Sequence, residues 1–345
     1  MKIKSRKKSR IMAFTAGILL ILTAAGCGNR IHGEYSDIDK EADAYRFESR
    51  AGEDENSRLS VVTTIFPYYD FIRQVAGERV ELSMVVPAGM DSHSFEPTPA
   101  DMRLIQEADL LICNGGAMEH WMGEALQAID TSHMEVITMM DYVELFEEDH
   151  VEGMEEEEVH DHDGHEEEIE YDEHIWTSPR NAVIIVGKIR DALIAADPQG
   201  AEDYRKNAGS YIASLEKLDE EMKTVMKDRK RNMIILGDKF PFRYLAEEYG
   251  LDYRAAFSGC STDTEPSART IAYLIDKIKE KNIPAVYYLE LSSHRVAEII
   301  SEETGAEPLL LHSCHNVTRI EFESGITYLQ LMEGNVENLR KGLDE

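Results

Sequence analysis

Residues 59–113 read LSVVTTIFPYYDFIRQVAGERVELSMVVPAGMDSHSFEPTPADMRLIQEADLLIC. Short apolar, β-branched runs (LSVVTT, VELSMVV, ADLLIC) alternate here with segments of helical period (PYYDFIRQVAG, TPADMRLIQEA). Runs of the first kind suit strands and segments of the second kind suit amphipathic helices, so the order is βαβαβ. Strands separated by helical crossovers lie parallel, which predicts an α/β fold. The pattern continues outward through MEHWMGEALQAI, a helix, and MEVITM, a strand. It resumes in the last third of the chain. NMIILG, LDYRAAF, PAVYYLE and EPLLLH are expected as strands there, with helices over FRYLAEEYG, SARTIAYLIDKIKEK, HRVAEIISEETG and GITYLQLMEGNVENLRKGL.

Between the two alternating regions lies a charged stretch, residues 198–228, whose apolar positions Tyr204, Tyr211, Leu215, Leu218 and Met222 recur at three, four and seven. One buried stripe on a long helix follows from that spacing. A single doubly wound domain is the simpler alternative. The long charged helix in the middle favours two (β/α) lobes, residues 59–197 and 230–345, with mostly parallel sheets joined by a helix over 198–229.

The first residues determine the compartment. MKIKSRKKSR is basic, IMAFTAGILLILTAAG is a short apolar run, and Cys27 follows small residues in LTAAGC. This is the pattern of a lipoprotein signal peptide over residues 1–26, with Cys27 as the lipid-bearing terminus of the processed chain. Residues 27–58 are polar and aperiodic and read as a disordered tether. The body is then expected to be exported and lipid-anchored to the outer face of the cytoplasmic membrane. Loss of residues 1–26 removes six basic side chains and no acids, so the formal charge moves from −31 to −37. Such acidity excludes nucleic acid and anionic lipid surfaces as partners and suits the attraction of cations.

Residues 144–173 hold 17 of the acidic side chains and no Lys or Arg, with His150, His160, His162 and His165 threaded through them. Taken alone, the run is either a solvated acidic tether or a loop of weak, exchanging metal sites, because carboxylates and imidazoles are ready ligands for divalent cations.

Ligands of open α/β sheets bind beyond the carboxyl ends of the strands. Several metal-binding side chains stand at such ends: His93 after VELSMVV, Asp238 after NMIILG, Glu290 after PAVYYL, and His312, Cys314 and His315 after EPLLL. His174 closes the acidic run, just before a helix. Glu290 also suits a structural hydrogen bond, and His315 is either a ligand or the organiser of its own loop. Of the cysteines, Cys113 sits in an apolar strand as an inert thiol. Cys260 and Cys314 remain as a pair in the same half of an exported chain, where a disulfide between them is expected, in competition with Cys314 as a ligand.

At these residues the sequence resembles the zinc and manganese ABC-transporter substrate-binding lipoproteins. The resemblance runs through residues 63–121, DEHIWTSPRN, YRKNAGSYIASLEKLD and TEPSARTIAYLIDKIKEKNI, and covers nearly all of residues 59–343. It implies two lobes joined by a long rigid helix with the metal in the cleft between them, and a charged histidine-rich loop is typical of the zinc-type members. His93 matches the family's first ligand and His174 its second. The third position aligns with Lys239, a cation that cannot ligate in its ordinary state, so Asp238 beside it is expected to substitute. The fourth aligns with His312. The implied set is His93, His174, His312 and Asp238, with His315, Cys314 and Glu290 as further candidates, and the 144–173 loop as an accessory.

The implied function is capture of Zn2+ and its delivery to an ABC permease and ATPase by a monomeric binding protein. The same resemblance admits Mn2+ as the cargo. A surface adhesin or metal buffer is the reading from another class. A zinc hydrolase is opposed by the lack of an HExxH helix.

Overall fold

In the computed structural model, residues 58–155, 170–261 and 265–344 are described. The signal segment, Cys27, the tether and the loop histidines His160, His162 and His165 lie outside them. Among the described residues no helix is long and apolar enough to cross a membrane.

Four parallel strands build the first sheet: β1 (Leu59–Thr63), β2 (Val80–Met84), β3 (Leu110–Cys113) and β4 (Glu135–Thr138), in the order β2-β1-β3-β4. Val61 faces Leu82 on one side and Leu110 on the other. All of β3 is buried because helices cover both faces, which is why LLIC reads as an unbroken apolar run. The crossovers are α1 (Phe66–Ala76), α2 (Pro99–Gln106) and α3 (Trp121–Ala128). Proline near the start of α1 and α2 has no N–H to leave unpaired. Thr98 and Asp101 close a reciprocal capping box at α2.

Helix α4 (Pro179–Ala196) leads into α5 (Ala201–Asp228), whose 28 residues span about 42 Å at the α-helical rise. Tyr204, Tyr211, Leu215, Leu218 and Met222 are all buried, as their spacing predicts. The helix begins three residues later than expected. Pro198–Gly200 form a separate 3-10 turn because the Asp197 side chain accepts the N–H groups of Gln199 and Gly200.

After α5 the strands are shorter than their apolar runs suggest. β5 (Met233–Ile235) pairs in parallel with β6 (Asp252–Arg254), and β7 (Ala285–Tyr288) with β8 (Glu307–Leu310). A single parallel bridge, Leu236 to Tyr287, links the two pairs. Helices α6 (Arg243–Tyr249), α7 (Ala268–Lys281) and α8 (Arg295–Thr304) alternate with these strands, followed by α9 (Arg319–Ser324) and α10 (Tyr328–Asp344).

Asp70 of α1 joins three helices from a fully buried position. It takes Arg73 at 2.6 Å, the Tyr211 hydroxyl of α5 at 3.3 Å and the backbone N–H of Tyr328, at the start of α10, at 2.8 Å. These bonds tie the first sheet's helices to the C-terminal helix through α5.

Candidate metal centre

The loop after β2 supplies His93. Asp91 caps the 3-10 turn Ser92–Ser94 and its Oδ1 accepts the His93 backbone N–H at 2.9 Å, which sets the histidine two residues beyond a carboxylate. His174 is placed by the same device. Asp172 Oδ1 accepts the His174 backbone N–H at 2.8 Å and faces its ring Nδ1 at 3.2 Å. That engagement of Nδ1 leaves Nε2 as the nitrogen available to a metal.

The third histidine comes from the segment after β8. Asn335 fixes both backbone groups of His312, accepting its N–H at 2.7 Å and donating to its carbonyl at 2.8 Å. Glu290 accepts the N–H of Ser313 at 2.9 Å and its hydroxyl at 2.5 Å. Cys314 then takes a left-handed backbone, φ 58°, unusual for a side chain with a Cβ. The turn presents His315 to the other two histidines. Trp176 supports it from behind, stacking on the His315 ring at 5.6 Å and donating its indole N–H to the Ser313 carbonyl at 2.8 Å. Ser92 hydrogen-bonds His315 Nε2.

The three imidazoles form a nearly equilateral triangle. Ring centroids are 5.7 Å apart for His93 and His174, 5.5 Å for His93 and His315, and 5.9 Å for His174 and His315. One ring nitrogen from each lies within 4.8 Å of the others. Four-coordinate zinc with nitrogens at ~2.0–2.1 Å holds them about 3.4 Å apart, so a small side-chain contraction closes the triangle on an ion. Neutral imidazole is the ligand form, and two of the rings are held neutral. Burial lowers His93 to about 4, and the neighbouring His174 pushes in the same direction. Burial also carries His315 well below the usual histidine range. In His174 burial acts the same way, but the Asp172 carboxylate outweighs it and the net shift is upward.

Two chain segments meet across this triangle. Asn316 donates its side-chain amide to the carbonyls of Pro87 and Met90, each at 2.8 Å, and the Gly89 N–H donates to Val317 at 2.8 Å. The loop carrying His93 is thereby fastened to the loop carrying His315.

The converging triangle differs from the expected ligand set at two positions. His312 is not among the converging rings and does not line the cavity: its Nδ1 accepts the Cys314 N–H at 2.9 Å, and its buried Nε2 has no hydrogen-bond partner among the described residues. The three-residue path from His312 to His315 through the left-handed Cys314 exchanges which imidazole points at the cleft. Asp238 lines the same cavity as the three rings, about 210 Å³ in volume, but stands outside the ligand triangle. Burial raises its pKa, and Ser292 and the Lys239 N–H hold its carboxylate. Glu290 serves the Ser313 turn, as its hydrogen-bonding alternative predicted.

The expected disulfide is absent: Cys260 and Cys314 are both free thiols. They occupy different surroundings. Cys260 packs beside Asp172 and Glu148 and donates its N–H to Glu148 at 2.8 Å, whereas Cys314 is sealed near Glu290 and Asp70. Burial raises both thiols, so neither is poised as a thiolate ligand. His150 is exposed and apart from the triangle, at the base of the acidic run. That base is pinned by an antiparallel bridge between Glu147 and Tyr171 and by the Glu155 N–H on the Ala256 carbonyl at 2.9 Å. Asp172, Trp176 and Asn316 were not singled out from sequence. An Asp two residues before a candidate histidine was the one available signal, present at both Asp91 and Asp172.

The family described as "ZnuA: Zinc-uptake complex component A periplasmic" matches residues 61–342. The high-affinity zinc uptake system protein ZnuA of Bacillus subtilis is 32% identical over 339 residues, covering 98% of either chain. The zinc-binding lipoprotein AdcA of Streptococcus pneumoniae is 32% identical over 290 residues. These make up 84% of this chain and 57% of AdcA, so the chain spans little more than half of that relative. Among solved structures, the metal-dependent lipoprotein YcdH from Bacillus subtilis superposes with a TM-score of 0.69 at 31% identity, covering 83% of this chain and 99% of that one. The Zn(II)-bound ZnuA-like domain of Streptococcus pneumoniae AdcA gives 0.68 at 30% identity, covering 84% and 100%. A two-lobed α/β body, three converging histidines and this likeness along nearly its whole described length agree: the chain belongs to the ZnuA family of zinc-uptake components.

Proposed function

We propose that this protein captures Zn2+ outside the cytoplasmic membrane and releases it to an ABC permease driven by its ATPase, the ion being cargo bound by His93, His174 and His315. The observation that carries this reading is the imidazole triangle, with one nitrogen from each ring within 4.8 Å of the other two. A donor set made wholly of imidazole suits zinc better than manganese, which prefers oxygen. On this reading the chain is monomeric, held to the membrane through a lipid on Cys27 and spaced from it by residues 27–58. Residues 59–197 and 230–345 act as the two lobes, with 198–229 as their connection. The histidines of the 144–173 run gather the ion at weaker sites. The test is metal stoichiometry and affinity of the purified chain, by competition with a chromophoric chelator. One tight zinc equivalent is expected in the wild type and none in His93→Ala, His174→Ala or His315→Ala. Retention of the tight equivalent in those variants overturns the proposal.

A further inference from the structure

One cation sits in the wall of the metal cavity. Lys239, whose side chain is only 13% exposed, lines the same space as His93, His174 and His315, with Asp91, Asp238 and Glu290 as the carboxylates around it. A mostly buried ammonium needs a counter-charge, and among the described residues its ion-pair partner is Asp91, Nζ to Oδ2 at 3.7 Å. The other two carboxylates are engaged elsewhere, Asp238 by Ser292 and the Lys239 N–H, and Glu290 by Ser313. Asp91 is different. Its Oδ1 holds the His93 backbone, so its Oδ2 stays at the cavity beside a ligand histidine, and Lys239 is what faces it.

We propose that Lys239 is a specificity-determining residue for the captured ion: by pairing with Asp91 it withholds the cavity carboxylate oxygen that no hydrogen bond engages, and so keeps the site all-imidazole. The inference rests on the zinc-capture reading and deepens it. An ion that prefers oxygen, such as Mn2+, is denied the donor it needs, while Zn2+ is satisfied by the three rings. The positive charge repels either dication equally. Its general effect therefore cancels in the ratio of the two affinities, and only the freed carboxylate changes that ratio.

The experiment measures Zn2+ and Mn2+ affinities of wild type, Lys239→Met and the double variant Lys239→Met/Asp91→Asn, with circular dichroism to verify folding. Lys239→Met is expected to raise Mn2+ affinity relative to Zn2+ by about tenfold, the scale of one charge-assisted contact. The double variant is expected to return the ratio to near the wild-type value. X-ray absorption at the zinc edge should show an added oxygen donor in Lys239→Met that the second substitution removes. An unchanged ratio in Lys239→Met, or a changed ratio that Asp91→Asn leaves in place, overturns the proposal. If Lys239→Met fails to fold, Lys239→Gln, one atom shorter, which keeps a donor but not the charge, carries the same expectation. His315→Ala in the same titration separates the two readings: its loss of tight zinc upholds the site even where the ratio refutes the role of Lys239.

Discussion

Asp172 holds His174 twice with one oxygen, at 2.8 Å from its backbone nitrogen and 3.2 Å from its ring Nδ1. A carboxylate on the far nitrogen fixes ring orientation and tautomer and makes the facing nitrogen a stronger donor to a metal. Replacing Asp172 with Asn is therefore expected to weaken zinc binding by roughly 10–100-fold, the usual range for such a partner. The stoichiometry should stay at one tight equivalent. Chelator competition reads both quantities, and an unchanged affinity contradicts the orienting role.

His312 and His315 provide a paired comparison three residues apart. His315→Ala should abolish tight zinc binding with little change in thermal stability of the metal-free protein. His312→Ala should keep the zinc equivalent but destabilise the fold by about 1–3 kcal/mol, because the Cys314 N–H loses its acceptor in a buried turn. Thermal melts with and without zinc distinguish the two outcomes. The opposite pattern would restore His312 as the ligand.

Acid should act through the depressed His93. In the unfolded chain this histidine takes a proton near its ordinary value of 6.5, whereas the folded protein resists until about 4. Between those values the unfolded state binds more protons, so His93 makes the metal-free protein less stable as pH falls from 6.5 towards 4 and contributes no such penalty above 6.5. His174, shifted upward, opposes this in part, since its protonation favours the folded state. Zinc needs every ring neutral; the folded His93 already is above pH about 4, so the proton that competes with zinc in this range is the one on His174, and affinity should fall as acid loads that ring. Proton release on zinc binding, measured by calorimetry in buffers of different ionisation enthalpy, should rise as pH is lowered from 7.5 to 6 in the wild type. A flat profile would show that His174 exchanges no proton for the ion.

Deleting residues 157–168 removes His160, His162 and His165 and leaves the pinned base from Glu147 to Glu155 intact. The expected result is loss of weak zinc equivalents alone, with the tight equivalent retained at its original affinity. Equilibrium dialysis over a range of zinc concentrations separates the two classes. Loss of the tight equivalent would move the main site into the loop.

How much of this was legible in the sequence follows from distance along the chain. The strands of the first sheet and the stripe on α5 are set by local periodicity, and the stripe residues Tyr204 to Met222 are buried as their spacing required. His93 and His174 follow turns whose capping aspartates stand two residues earlier, a short-range arrangement. Sequence ranked His312 above His315, whereas the ring that joins the triangle is His315, because the two differ only in the path between them. That path depends on the left-handed backbone at Cys314 and on long-range partners, Glu290, Asn335 and Trp176, that no local pattern reveals. The disulfide expectation failed for a related reason: membership of the same half of the chain carries no information about whether two side chains meet.

The amide of Asn316 gives the centre a latch that is not itself a donor to the ion. Its two hydrogen bonds to Pro87 and Met90 hold together the loops bearing His93 and His315. On the proposed reading, dwell time and selectivity then fall to different residues. Weakening the latch is expected to shorten the residence of the ion without altering the chemistry of its coordination. On the proposed reading, a membrane partner that pulls these loops apart has uncharged hydrogen bonds to break: those of Asn316, the Gly89 N–H on Val317, and Ser92 on His315.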